Sequence, residues 1–418
     1  MLMKIKSWNN ICVKKVHLQE TIDPLYTTIP LGNQNSYSDC NIPISSNSLI
    51  ADFSQEIYSG NTSSRKLIID PSLSIGNYIQ NSREFLYGIP GSPYVSIGGA
   101  IAADTHGKDG KYGKNFGSNI DTLYLKIASG DILKLNNKNN PEILESTIGG
   151  YGLTGQIVGV EFLKSKIKFA DYLYTELTIN KGVDNLINEI NQHDEKYFLA
   201  VIDLVNKGYK WIIKKSSQSI NQEYDFPPRN NKEASLPLNF VGNNFLYSLK
   251  LLNFVYPLLQ KNGPTHYTNY FFPQGGVRDP RNFCKNRKIV EVQFSLPMEM
   301  IGSLEEILDL VKFYFKPLAC SIKILAYNIE QTNLSFYQHG ISVNFDFPFN
   351  KLNHQGLKEV YKKIYDNKGK VNLSKDLFLS ENIFKKMYPE YQKWIEVVKT
   401  VDPNNKFQSQ MSNRLKIK

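Results

Sequence analysis

The pattern of apolar and polar positions gives the chain three textures. From about residue 172 onward, segments with a period of two alternate with segments of helical period. Strands are predicted at 172–179, 197–204, 289–296, 321–327 and 341–347, and helices at 183–192, 303–315 and 355–366. In the second of these helices Leu304, Ile307, Leu308, Leu310 and Val311 share one broad face. This order predicts an antiparallel sheet backed by helices, an α+β arrangement. Ahead of it come short strands at 48–53 and 66–70 and a helix within 71–81. A hairpin at 121–128 and 132–135 follows, then a strand at 156–163. Residues 205–275 read as irregular, with Pro227, Pro228, Pro237 and Pro264. Within them FLYSLKLLNFVYPLL (245–259) is the most apolar piece and carries Lys250; it is too short to span a bilayer. It reads either as a core helix or as an interfacial one. The last texture, 380–418, is helical with an aromatic face of Phe384, Met387, Tyr388, Tyr391 and Trp394, and Pro403 stops one helix.

Composition narrows the class. With 418 residues the chain has room for two domains, and no apolar run reaches the 18 residues of a membrane span. The N-terminal MLMKIKSWNNICVKK lacks the apolar stretch of a secretory signal. Cys12, Cys40, Cys284 and Cys320 form no CxxC pair and no disulfide framework, which points to a reducing, cytoplasmic setting. The formal charge of +10 suits an anionic partner such as phosphate groups, acidic lipid or nucleic acid. No nucleic-acid module accompanies it, and the lysines are scattered.

Residues 90–117, PGSPYVSIGGAIAADTHGKDGKYGKNFG, hold seven glycines. Glycine reaches positive φ and lets a ligand approach main-chain N–H groups. Small apolar residues Ala100 to Ala103 and the cluster Asp104-Thr105-His106 lie between the glycines. The stretch suits a backbone wrapped against a flat anionic cofactor, though alone it also reads as a surface loop.

IGGAIAADTHGK followed by NFG, and then IGGYGLTGQIVGVEF (148–162), resembles the FAD-binding domain of the vanillyl-alcohol-oxidase-type (PCMH-type) flavoproteins. The run SKDLFLSENIFKKMYPEYQKWIEVVKTVDPNNKFQSQMSNRL resembles the end of the same proteins, in their sugar-oxidising branch. The likeness is weak between about 207 and 264. It implies a two-domain PCMH-type fold. The FAD-binding domain would be discontinuous, 1–170 with a return at 370–418. A substrate domain, 171–369, would hold the antiparallel sheet backed by helices.

The resemblance implies FAD. The family's pyrophosphate loop, R-G-x-G-R-S-Y-G-D, here reads Leu31-Gly32-Asn33-Gln34-Asn35-Ser36-Tyr37-Ser38-Asp39: one glycine is kept and the arginine is absent. Asparagine tolerates positive φ, and its amide donates to phosphate. Cofactor contacts are implied at Gly32, Asn33, Gln34, Asn35, Ser36 and Tyr37 in this loop. In the central stretch they are implied at Gly91, Ser92, Val95, Ser96, Gly98, Gly99, Ala102, Ala103, Thr105, His106 and Gly107. The second glycine cluster adds Gly152, Thr154, Gly155 and Ile157. With no histidine in the phosphate loop, the family pattern is non-covalent FAD, and no metal is implied.

Oxidising an alcohol with a flavin needs a C–H aimed at the ring, an acceptor for the hydroxyl proton, and a donor or positive charge near the reduced ring. The resemblance places Lys375, Tyr37 and His106 in that role. Lys108, Gln293, Glu291, Lys323 and Asn344 are implied substrate contacts. Glu291 stands where the family has a second glutamine, and Asn344 where it has a cysteine. The implied activity is oxidation of a secondary hydroxyl of a sugar, one carried on a polyprenyl phosphate, to a keto sugar. A short-chain dehydrogenase partner would complete an epimerase pair at the surface of the inner membrane. The alternatives are a free polyol or sugar-lactone oxidase of the same fold, and a non-catalytic flavin-fold binding subunit.

Overall fold

A computed structural model describes residues 2–19, 27–44, 50–51, 67–164, 167, 169–218, 261–272, 288–315, 317, 319–326 and 334–418. The apolar stretch 245–259 and Cys284 lie outside the described residues, as do parts of the predicted strands at 48–53 and 66–70.

The chain opens with a hairpin of β1 (Leu2–Lys6) and β2 (Val13–Gln19), joined in parallel by β3 (Ile50–Ala51). Then come α1 (Ile75–Ser82) and α2 (Ile97–Ala102), each capped by the serine just before it. The Ser74 cap fixes where α1 begins, four residues after Pro71. The helix α2 lies inside the glycine stretch, where the sequence suggests a backbone wrapped against a cofactor or a surface loop and no helix. The hairpin of β4 (Ile120–Lys126) and β5 (Ile132–Leu135) forms as expected, and after α3 (Pro141–Thr147) the strand β6 (Gln156–Phe162) pairs on the other side of β4.

The second half is built on β7 (Tyr172–Lys181), α4 (Val183–Gln192), β8 (Tyr197–Ile202), β9 (Lys210–Gln218), β10 (Gly263–His266), α5 (Tyr267–Phe271) and β11 (Ile289–Pro297). It continues with α6 (Leu304–Phe315), β12 (Ala319–Leu325), β13 (Gly340–Pro348), α7 (His354–Asp366) and β14 (Lys370–Val371). Its strands form one eight-stranded antiparallel sheet in the order β10-β7-β9-β8-β12-β13-β11-β14. The irregular reading of 205–275 is therefore corrected at residues 210–218 and 263–271, while 219–260 and 273–275 lie outside the described residues. Nine of those residues make β9, which pairs with both β7 and β8. Its sequence, KWIIKKSSQ, breaks the period of two, so neighbouring strands rather than its own pattern define it.

Side-chain alternation sorts the sheet's two faces. Val290, Val292 and Phe294 of β11, Ile322 of β12, and Val343 and Phe345 of β13 share one core. Leu304, Ile307, Leu308 and Val311 of α6 and Leu357, Val360 and Ile364 of α7 join it. Each fully buried leucine or isoleucine contributes roughly 1.5–3 kcal/mol. The residues in between, Glu291, Gln293, Ser321, Lys323, Asn344 and Asp346, fall on the other face and line a cavity.

The chain then returns to the glycine-rich side through α8 (Glu381–Met387), α9 (Tyr391–Val401) and α10 (Gln410–Arg414). Phe384, Met387, Tyr388 and Trp394 are buried, and Trp394 Nε1 donates to Ser146 O at 2.8 Å. α9 ends just before Pro403, as expected. Phe407 bridges to Thr28. Lys418 Nζ is buried against Asp402 at 2.6 Å and Leu153 O at 2.7 Å.

Candidate active site

A cavity of about 1470 Å³ lies between the glycine turns of the first half and the polar face of the large sheet. It exceeds the roughly 300–1,000 Å³ of an ordinary small-ligand pocket.

The glycine wall is held by close backbone approach. A Cβ on Gly32 would stand 2.9 Å from Ser96 Oγ, the cap of α2, so only glycine lets these two segments meet there. Asn33 and Asn35 both donate their amides to Tyr94 O, at 3.0 and 2.9 Å. These bonds fasten the loop to the next turn. Positive φ in the loop falls on Gln34, at 53°, not on an asparagine.

Of the implied cofactor positions, Gly32, Asn33, Gln34, Asn35, Ser36, Gly91, Val95 and Ser96 line the cavity. So do Gly98, Gly99, Ala102, Ala103, Thr105, His106, Gly152, Gly155 and Ile157. Four do not. Tyr37 is 5% exposed and stacks on Trp8 at 4.4 Å between ring centres. Thr154 is fully buried, Gly107 is packed against Asp109, and Ser92 Oγ accepts from Tyr94 N at 3.3 Å.

His106 sits where the two walls meet. Gln293 donates to His106 Nε2 at 2.7 Å and to Ser342 Oγ at 2.9 Å. Asn372 Nδ2 donates to Gln293 Oε1 at 2.8 Å, and Ser374 donates through both N and Oγ to Asn372 Oδ1. Ser36 Oγ donates to Ser374 O at 2.9 Å and closes the chain of bonds back to the phosphate-loop segment. Burial, then the nearby Lys323 and Lys375 charges, hold the His106 ring well below the usual histidine pKa, so it is neutral. With Nε2 accepting, the ring proton resides on Nδ1, which is buried beside the Gly107 backbone. Asp104, two residues earlier, is anchored by Asn115, Ser335 and the Gly117 N–H, and burial pushes it up to about 6.

The implied substrate residues Lys108, Gln293, Glu291, Lys323 and Asn344 and the implied catalytic Lys375 all line the cavity. Their charges are less available than the sequence suggests. Lys375 Nζ is 3.3 Å from Glu291 Oε1 and 3.9 Å above the Tyr37 ring. Lys108 is 2% exposed and donates to Phe271 O at 2.7 Å; burial holds it well below the usual lysine pKa. Burial also lowers Lys323 to about 8, against the pull of Glu291. Asn344 accepts from Ser321 Oγ.

Sequence reasoning missed Asp346, Ser342 and Asn372. The signal for the first two was present: both alternate with core residues on β13 and flank Asn344. Asn372 lies three residues before Lys375, but nothing local marks it. Asp39 and Asp376, neighbours of Tyr37 and Lys375, share Arg414, whose guanidinium reaches Asp39 at 2.9 and 3.0 Å and Asp376 Oδ2 at 3.3 Å. Among the described residues no cluster of histidine, cysteine and carboxylates could hold a metal, and no helix is long and apolar enough to cross a membrane.

No protein-family model matches the chain. A curated relative is decaprenylphosphoryl-beta-D-ribose oxidase of Mycolicibacterium smegmatis, 24% identical over 349 residues, 79% of this chain and 75% of that one. The resemblance read from the two glycine blocks and the C-terminal run therefore extends over most of the molecule, and the chain is similar along that length to decaprenylphosphoryl-beta-D-ribose oxidase.

Proposed function

We propose that the chain is an FAD-dependent oxidoreductase acting on a CH–OH group, and that it oxidises a secondary hydroxyl of a sugar to a ketone. Similarity to an oxidase whose name specifies a polyprenylphosphoryl ribose supports the class. The observation that carries the reading is the cavity itself: one wall of glycine turns, one wall of polar sheet residues, and neutral His106 bonded to Gln293 where they meet. Tyr151 Oη and Gln156 Oε1, both on cavity-lining residues, are buried without partners among the described residues. Such unmatched polar atoms beside closely approaching backbone fit a cofactor rich in donors and acceptors.

Gly32, Ser96, Gly98, Gly99, Gly152 and Gly155 would hold FAD, without a covalent bond, since no histidine lies in the 31–39 loop. Bound there, FAD supplies the hydride acceptor. Lys323, poised to lose its proton near pH 8, takes up the hydroxyl proton. Lys375 supplies positive charge, steadied by Glu291 and Tyr37. The same reading divides the chain into an FAD domain, 1–170 with 370–418, and a substrate domain, 171–369. The packing of Trp394 on Ser146 and of Phe407 beside Thr28 supports that division. A polyprenyl-phosphate carrier, a short-chain dehydrogenase partner and contact with an anionic membrane surface complete the reading; the formal charge of +10 supports the last.

The test is direct. Purified protein carries flavin absorbance, acid releases the flavin into the supernatant, and anaerobic lipid-linked sugar bleaches it. Protein that neither carries flavin nor takes it up on reconstitution overturns the reading. A second reading, oxidation of a free polyol, draws support from the engagement of Lys375 by Glu291 and of Lys108 by Phe271 O, which leaves fewer cations for a phosphate. Faster bleaching by free polyols than by any phosphorylated glycoside selects it.

A further inference from the structure

Glu291 of β11 and Asp346 of β13 are direct cross-strand partners, and both line the cavity. Two carboxylates at opposed positions on one face of a sheet repel each other. Lys375 Nζ approaches Glu291 at 3.3 Å, and the buried Lys323 amine also feels the Glu291 charge. Asp346 Oδ1 is buried and has no hydrogen-bond partner among the described residues. Burial, then the Glu291 charge, raise the Asp346 pKa well above the usual carboxylate value. The cavity floor thus offers several carboxylate acceptors. Acceptors in that density suit the hydroxyls of a sugar, which can donate to each. A third anion there would meet both carboxylates, and the nearest amines, Lys375 and Lys323, already answer Glu291.

We propose that Glu291 and Asp346 are the specificity-determining pair of this site: they accept a neutral polyhydroxyl ring and reject a ring that carries its own carboxylate. The inference rests on the reading of the cavity as a sugar site and names which sugars enter it. It also sets an orientation. Where the substrate is a glycosyl phosphate, its ring hydroxyls face β11 and β13, and its phosphate points away from them.

The test compares matched neutral and anionic sugars by calorimetric binding to the full chain as purified. Methyl β-glucopyranoside against methyl β-glucuronide, and ribitol against ribonate, differ in each case by one carboxylate. The neutral member binds at least about tenfold more tightly. Glu291→Gln and the isosteric Asp346→Asn each shrink that ratio, chiefly by admitting the acid, and two separate variants guard against one failing to fold. Equal or tighter binding of the acids to the unaltered chain overturns the inference and leaves the sugar reading standing. So does a ratio that neither variant changes. Binding of neither member of either pair, in protein that holds flavin, overturns the sugar reading and the inference with it.

Discussion

The Lys375 ammonium rests 3.9 Å above the centre of the Tyr37 ring while 3.3 Å from Glu291 Oε1. One residue from the C-terminal segment is thus held by one from the first forty and one from the large sheet. Lys375→Ala removes a charge from the site and strands a nearly buried carboxylate. Turnover should fall about 10²–10³-fold if that charge stabilises the reduced ring. Stability should fall too, with a coupling to Glu291→Gln of about 1–2 kcal/mol in a double-mutant cycle by chemical denaturation. Additive effects would show that the pair contributes nothing.

Arg414 makes the fork that Asp39 and Asp376 share. Arg414→Ala leaves two carboxylates facing each other with no cation, and should cost about 3 kcal/mol. Arg414→Lys should recover only part of this, because a point charge cannot replace a bidentate guanidinium. Urea titrations of the three proteins decide it.

Gln293 is the link between His106 and Asn372. Gln293→Leu keeps the volume and removes both bonds. If a fixed His106 tautomer serves catalysis, kcat should drop about 100-fold, with the flavin content unchanged. A changed KM at unchanged kcat would make Gln293 a binding residue alone.

Lys323 carries the pH dependence. Its folded pKa, about 8, lies below the ordinary lysine value, so the neutral amine becomes the major form above that pH. A proton acceptor works in that form, so the rate of flavin reduction should rise with pH through about 8. Lys323→Arg, permanently charged, should flatten that rise. A rate that falls through the same window would mean that the cation is the working form.

The strands that carry the site were legible because their alternation is strict: in EVQFS and ISVNFDF every second residue is apolar and belongs to the core. The residues between them could have been read by the same rule, which would have delivered Asp346 and Ser342. β9 was not legible, because its side chains answer to neighbours on both sides rather than to a period. The engagement of the lysines was also hidden. A sequence shows that Lys108 and Lys375 are cations; only the fold shows that a carbonyl and a carboxylate already hold them. The helix α2 was masked by its two glycines, and its Ser96 cap was the overlooked sign.

The reach of Arg414 and Lys418 back to Asp39, Asp402 and Leu153 has a bearing on biosynthesis. Chains emerge N-terminus first, and early segments can begin to fold while later ones are still being made. Here the glycine turns and the sheet emerge before the residues that fasten them. Until α10 arrives, Asp39 and Asp376 lack their shared guanidinium and the loops bearing Tyr37 and Lys375 are untied. The site therefore matures last, by a closure between distant parts of the chain, and such long-range contacts form slowly.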